Sequence, residues 1–107
     1  MAKRGHKLLT AELRKKLPPL YSQEKLGDEA LVIVKFFTPY SNWTWYATEF
    51  DGEDTFFGLA DGFEEELGYF SLKEMENMTW HFGLAAVERD LYWKPRSIKE
   101  CRKQVRA

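Results

Sequence analysis

Trp43-Thr-Trp-Tyr-Ala-Thr-Glu-Phe50 is the stretch whose reading decides the fold. Aromatic and β-branched residues dominate it, a composition that suits a pleated, half-buried strand. Successive side chains of a strand point to opposite faces. Trp43, Trp45, Ala47 and Glu49 are therefore expected on one face, and Thr44, Tyr46, Thr48 and Phe50 on the other. Each face carries aromatics, as a central strand covered on both sides requires. The sharper alternative is that one row, ending near Tyr40 and Asn42, lines an exposed groove.

Immediately upstream, Leu31-Val-Ile-Val-Lys-Phe-Phe37 is almost continuously apolar and reads as a strand buried on both faces. The turn signal Pro39 to Asn42 joins the two runs, so they are expected to pair antiparallel. Downstream, Asp51-Gly-Glu-Asp54 is a hairpin turn, Thr55 to Ala60 a third strand, Asp61-Gly62 a second turn, and Glu65 to Phe70 a fourth strand. Gly58 and Gly68 fall inside strands, where glycine marks a bulge or a close neighbour.

Helices are predicted around this meander. Thr10 is an N-cap, Leu9, Leu13 and Leu17 repeat along one helical stripe, and Pro18-Pro19 ends it. Ser71-Leu-Lys-Glu74 and Ser97-Ile-Lys-Glu100 match capping boxes that open a middle and a C-terminal helix. Leu72, Met75 and Met78 or Thr79 are expected to face the sheet, and Val87 to Tyr92 is a candidate fifth extended segment. The fold class is α+β: a four- to five-stranded antiparallel meander packed by short N-terminal, middle and C-terminal helices. The whole chain, 1–107, is expected to form one domain, with 1–8 a flexible N-terminus.

A single cysteine, Cys101, excludes an intrachain disulfide framework and fits a reducing cytoplasm. No secretory signal is read at the N-terminus, and the apolar runs fall far short of the roughly 20 residues a spanning helix needs. A cytoplasmic location with no membrane association is expected. The net charge of −1 hides an asymmetry. Residues 1–16 carry six Lys or Arg against one Glu, and residues 94–107 repeat that ratio. The stretch between them holds 15 acidic residues against four basic ones. Such an arrangement marks either a charged partner or ends folded onto an acidic body.

Leu17-Pro-Pro-Leu-Tyr-Ser-Gln-Glu24, Val34 to Asp51, Phe56-Phe-Gly-Leu59, Glu66-Leu-Gly-Tyr-Phe-Ser-Leu72 and Glu88-Arg-Asp-Leu-Tyr92 together resemble the family called domain of unknown function 2958. The resemblance spans about residues 10–100. It implies a small bacterial protein carried on plasmids, phages and integrated elements. It implies no activity and carries over no site residue. Trp93 stands where the pattern leads one to expect another aromatic such as Phe.

No spacing of His6, His81 and Cys101 suits zinc, and no nucleophile-base pair is legible, so no catalytic residue, metal ligand or cofactor is expected. Cys101, in a basic helix, is a candidate for a lowered thiol pKa. Eight acidic residues lie between Glu49 and Glu66 with no basic residue among them. Solubilising turn chemistry is the favoured reading of these. Arg89 is expected to pair with a carboxylate of the sheet, or else to anchor a recognition edge with Tyr92. The leading functional expectation is a non-enzymatic module for an unidentified protein partner, with Tyr40, Asn42, Trp43, Trp45, Tyr46, Glu49, Arg89 and Tyr92 as candidate binding residues. The alternative is a nucleic-acid-binding accessory protein using Arg14, Lys15, Lys16, Lys99, Arg102 and Lys103. A carboxylate-dependent enzyme is third. The sequence leaves the oligomeric state open.

Overall fold

The structure, a computed structural model, describes residues 6–102. Its elements are α1 (Ala11–Lys16), β1 (Leu31–Val32), β2 (Val34–Phe37), β3 (Thr44–Phe50), β4 (Thr55–Asp61), β5 (Glu65–Ser71), α2 (Leu72–Asn77), β6 (Glu88–Arg89), β7 (Arg96–Ser97) and α3 (Ile98–Cys101), with tight helical turns at Glu24–Glu29 and His81–Gly83. Five strands form one antiparallel sheet in the order β5-β4-β3-β2-β6, and β1 and β7 form a second, two-stranded one. This is the expected α+β meander, with β6 as its fifth strand. Among the described residues no helix is long and apolar enough to cross a membrane.

The predicted strand Leu31–Phe37 is interrupted at Ile33. Val32 turns away to pair with Arg96 in β7, while the Ile33 N–H still donates to the Ala47 carbonyl at 2.9 Å. Val32, Val34 and Phe36 are fully covered, but the intervening Ile33, Lys35 and Phe37 are only half-buried, so the burial on both faces expected from the apolar run is incomplete. Two apolar clusters sandwich the sheet. On the first face Leu8, Leu9, Leu17, Val34, Phe36, Trp45, Ala47, Phe50, Phe56, Leu72, Met75 and Val87 pack together. On the second face Ala30, Val32, Leu59 and Ile98 pack with Tyr46, Trp93 and Cys101. Helix α1 and α2 thus cover one face, and α3 covers the other.

Strict alternation along β3 fails at Thr48. The β3–β4 register shifts between Ala47 and Glu49, leaving Thr48 as an extra residue, a β-bulge. Trp45 and Ala47 lie on the first face, as expected together. Beyond the bulge, Phe50 joins them, its ring 4.5 Å from Phe56, and Glu49 is turned away from them. Thr48 is buried, its hydroxyl donating to the Phe57 carbonyl at 3.1 Å. Gly58, opposite Ala47, has no room for a side chain: a Cβ there would stand 1.9 Å from the Tyr46 carbonyl oxygen.

Turn chemistry follows the sequence closely. Asp51 Oδ1 accepts from the N–H groups of Glu53, Asp54 and Thr55 at 2.8, 2.9 and 3.0 Å. Asp54 accepts from the Ser71 hydroxyl and the Lys73 N–H at 2.6 and 2.7 Å. Ser71 in turn caps α2, and Ser97 with Glu100 forms the complete capping box of α3. The N-terminal reading is narrowed. Residues 1–5 lie outside the described residues, but Leu8 is buried and the Arg89 N–H donates to His6 Nε2 at 3.2 Å.

Gly58→Ala is expected to destabilise the chain by about 3 kcal/mol, since the clash is with backbone that must shift. Gly68→Ala, with nothing within 4 Å of its added Cβ, is expected to be near neutral. Urea denaturation of both variants checks the contrast; equal losses would contradict the bulge. The backbone hydrogen bonds of Glu53, Asp54 and Thr55 hold the Asp51 carboxyl below its ordinary pKa, and the Ser71 hydroxyl, then the Lys73 N–H, do so for Asp54. Their stabilisation is present above the unfolded carboxylate pKa and is lost as pH falls through the lowered folded values. A melting-temperature profile from neutral to acid pH is expected to fall less steeply for Asp51→Asn/Asp54→Asn; an unchanged slope would show that other groups govern it.

Candidate functional site

An open groove of about 490 Å³ lies on the first face, between the β2–β3 turn and α2. The turn places its upper wall. The Thr38 N–H donates to the Trp43 carbonyl at 3.0 Å, the Thr38 and Ser41 hydroxyls bond to each other, and the Trp43 N–H donates to Ser41 Oγ at 3.3 Å. This projects Tyr40 from the turn and sets Trp43 beside Trp45, ring centres 5.9 Å apart. Trp43 lies across Gly62, where a Cβ would be 2.3 Å from the indole, and meets Phe63 edge-on at 5.8 Å.

The opposite wall comes from α2 and the hairpin after it. Met75 is buried against the sheet, while Met78 stands partly exposed at the rim. The hairpin is closed by the Ala86 N–H donating to Met78 and the Trp80 N–H donating to Leu84, at 2.9 and 2.7 Å. It carries Trp80 back over the groove, where its ring stacks on Tyr40, 5.1 Å between centres and 4° between planes. Phe70, from β5, is among the residues that line the groove, and Thr38, Ser41, Ser71 and Glu74 are the polar groups along it. A volume of this size, apolar with few polar groups, is that of a ligand pocket or an anchor site.

The structure thus brings together Tyr40, Trp43 and Trp45 of the sequence-derived set. It separates the others. Asn42 is exposed at the turn, beside a shallow depression shared with Lys35, Phe37, Thr44 and Asp61. Tyr46, one residue from Trp45, points to the second face by strand alternation and packs on Trp93 at 5.9 Å. Burial pushes its phenol pKa up, with Cys101, Asp61 and Glu65 adding to the shift and Arg96 opposing it. Arg89, half-buried, donates to the Leu8 carbonyl at 3.3 Å rather than to a sheet carboxylate, and burial lowers its pKa. Tyr92 is exposed beyond β6. Phe70, Met75, Met78 and Trp80 were not assigned to the site by sequence; Ser71-Leu-Lys-Glu74 signalled the start of α2, but not that this helix would face the β2–β3 turn.

The bulge decides the fate of Glu49. Its side chain, 3% exposed, accepts from the Tyr21 N–H at Oε1 (2.8 Å) and from the Gln23 N–H at Oε2 (2.7 Å). Gln23 continues the network: its amide nitrogen donates to the Thr48 and Leu31 carbonyls at 2.8 and 3.0 Å, and its amide oxygen accepts from the Leu31 N–H at 2.7 Å. Glu49 is a clasp on the connection between α1 and β1, with both oxygens engaged. A smaller recess of about 200 Å³ adjoins it, between Tyr21, Phe57, Leu67, Tyr69 and Ile98.

Among the described residues, the basic residues of the nucleic-acid alternative lie on two faces. Arg14, Lys15 and Lys16 ride on α1 over the first face, where Arg14 donates to the Gly52 carbonyl at 3.1 Å and lies 5.3 Å from the Phe50 ring centre. Lys99 and Arg102 belong to the α3 region on the second face. Arg102 makes a two-pronged ion pair with Asp28 at 2.9 and 3.1 Å, which raises its pKa. Lys103 lies outside the described residues. Cys101 contradicts the lowered pKa considered from sequence: burial beside Tyr46 and Trp93 pushes the thiol up to about 11. Among the described residues no three His, Cys, Asp or Glu side chains gather where they could share a metal ion.

A family model described as a protein of unknown function, DUF2958, matches residues 8–100. The chain belongs to the DUF2958 family. The match runs from Leu8, at the start of the first-face core, to Glu100 of α3, so both walls of the groove lie inside the family domain. No curated protein and no solved structure matches the chain.

Glu49→Ala would leave two N–H groups without their acceptor in a covered site, and is expected to cost about 3 kcal/mol. Glu49→Gln, which keeps one acceptor oxygen, is expected to cost less. Chemical denaturation followed by circular dichroism checks the order; a loss under about 1 kcal/mol for the alanine variant would show that the clasp is dispensable.

Proposed function

We propose that this DUF2958 chain is a non-enzymatic protein-binding module of the bacterial cytoplasm, carried on mobile elements as the resemblance implies. It takes an apolar side chain of a partner into the groove beneath Tyr40 and Trp80. One observation carries the reading: Tyr40, Trp43, Trp45, Met75 and Trp80 converge on one cavity, yet Tyr40 and Trp80 keep 42% and 45% of their surface open to solvent. Aromatic residues and Met are the types that concentrate at the centres of protein interfaces. Rigid indoles provide the walls, and Met78 supplies a wall that adapts to the anchor.

The chemistry of the partner follows from the surroundings. An aromatic or branched aliphatic anchor matches the apolar lining. Lys or Arg beside it complements Glu74 at the groove and the acidic excess of residues 17–93. The hydroxyls at the rim are engaged, Thr38 with Ser41, and Ser71 with Asp54 and the Glu74 N–H of α2, which favours binding over group transfer. Of the candidate phosphate-contacting residues that are described, Arg14, Lys15 and Lys16 lie on α1 and Lys99 and Arg102 at α3, on opposite faces of the sheet, which favours a protein partner over nucleic acid.

Selection of displayed random peptides on the immobilised protein, followed by fluorescence polarisation of the winners, tests this. Enriched peptides are expected to share an apolar anchor next to Lys or Arg. Tyr40→Ala and Trp80→Ala are each expected to weaken them at least tenfold, the ratio that about 1.4 kcal/mol produces. Peptides that lack an anchor, or whose binding ignores both substitutions, would overturn the proposal.

A further inference from the structure

Strand β5 is an edge of the five-stranded sheet among the described residues. Two hydrogen bonds fix which way its backbone faces. The Leu72 N–H donates to the Asp54 carbonyl at 2.8 Å, and the Gly62 N–H donates to the Glu64 carbonyl at 3.2 Å. Both extend the β4–β5 register, in which Phe56 faces Phe70, Gly58 faces Gly68 and Ala60 faces Glu66. Antiparallel ladders alternate bonded and non-bonded pairs, so these three are the bonded pairs. The N–H and C=O groups of Leu67 and Tyr69 therefore point away from β4. Among the described residues β5 pairs with β4 alone.

Sheet edges are ordinarily blunted by shortness, a bulge, proline or lysine. Strand β5 has none of these: its seven residues pair without a register shift and include no Pro, Lys or Arg. Its side chains at Leu67 and Tyr69 remain 45% and 56% exposed. Negative charge is confined to its beginning, at Glu65 and Glu66.

We propose that β5 pairs antiparallel with the β5 strand of a second copy of this chain, about a twofold axis at Gly68. The sequence of the strand is self-complementary in that register. Leu67 falls opposite the partner's Tyr69 as a bonded pair, and Tyr69 opposite the partner's Leu67. Gly68 meets the partner's Gly68 in the closely spaced non-bonded position, where neither has a side chain to collide. Glu65 and Glu66 fall opposite the partner's Ser71 and Phe70. The two acidic ends are thereby kept roughly 20 Å apart, six residues of strand rise. An unrelated acidic or neutral strand would fit the edge less selectively than this match of apolar centre and separated charge. Tyr69 also lines the groove, whereas Gly68 does not, so cross-linking at Gly68 reads the pairing without altering the groove.

Sedimentation equilibrium of the full chain, from low micromolar to near-millimolar concentration, tests it. The mass is expected to rise toward twice the 12.6 kDa of one chain. Leu67→Lys/Tyr69→Lys sets lysine against lysine in both bonded pairs, and is expected to sediment as a single chain throughout. Circular dichroism shows whether that variant folds. Gly68→Cys in a Cys101→Ser background gives an independent reading, since Gly68 has space for the added atom. Facing Cα atoms of a non-bonded pair stand about 4.5 Å apart, within disulfide reach. Mild oxidation is expected to give a covalent dimer. A single-chain mass at every concentration, a dimer that survives the folded lysine variant, or a dimer that Gly68→Cys fails to cross-link would each overturn the proposal.

Discussion

The extra residue at Thr48 is the constraint on which both layers of the molecule depend. One inserted residue reverses the facing of everything after it in β3. Phe50 consequently reaches the first-face core, where it packs on Phe56 and under Arg14 of α1. Glu49 consequently reaches the other side, where it holds the backbone of Tyr21 and Gln23. Without the shift, a carboxylate would face the phenylalanine cluster and the connection from α1 to β1 would lose its attachment. Gly58 is the matching condition on β4, because only a residue without Cβ admits the Tyr46 carbonyl at that distance.

The fold was largely readable because each hairpin carries its own local signals. Pro39–Asn42, Asp51–Asp54 and Asp61-Gly62 mark the turns, and the three capping serines and threonines, Thr10, Ser71 and Ser97, all cap helices. The split at Ile33 was not readable, because β1 owes its direction to β7, a strand 64 residues further on. The bulge was not readable either. Thr48 satisfies period-two patterning as a residue type, and only its partner across the sheet reveals the slip.

The site was legible in part for the same reason. Tyr40, Trp43 and Trp45 come from one continuous stretch, so a reading of that stretch finds them together. The facing wall of Met75, Met78 and Trp80 arrives through α2 and its hairpin, and no local pattern relates it to the β2–β3 turn. Tyr46 and Glu49 were drawn into the candidate set by proximity in sequence. Alternation and the bulge place them on the opposite side of the sheet.

The distribution of indoles gives the molecule an optical property. The chain has four tryptophans; Trp43, Trp45 and Trp80 line the groove, and Trp93 lies on the far face with its N–H donated to the Val32 carbonyl. Three of the four indole chromophores therefore surround one cavity, and they differ in their access to water. The fourth indole, anchored behind the sheet, serves as a built-in reference. Occupation of the groove and loosening of the second-face layer are thus reported by different chromophores of the same unlabelled chain.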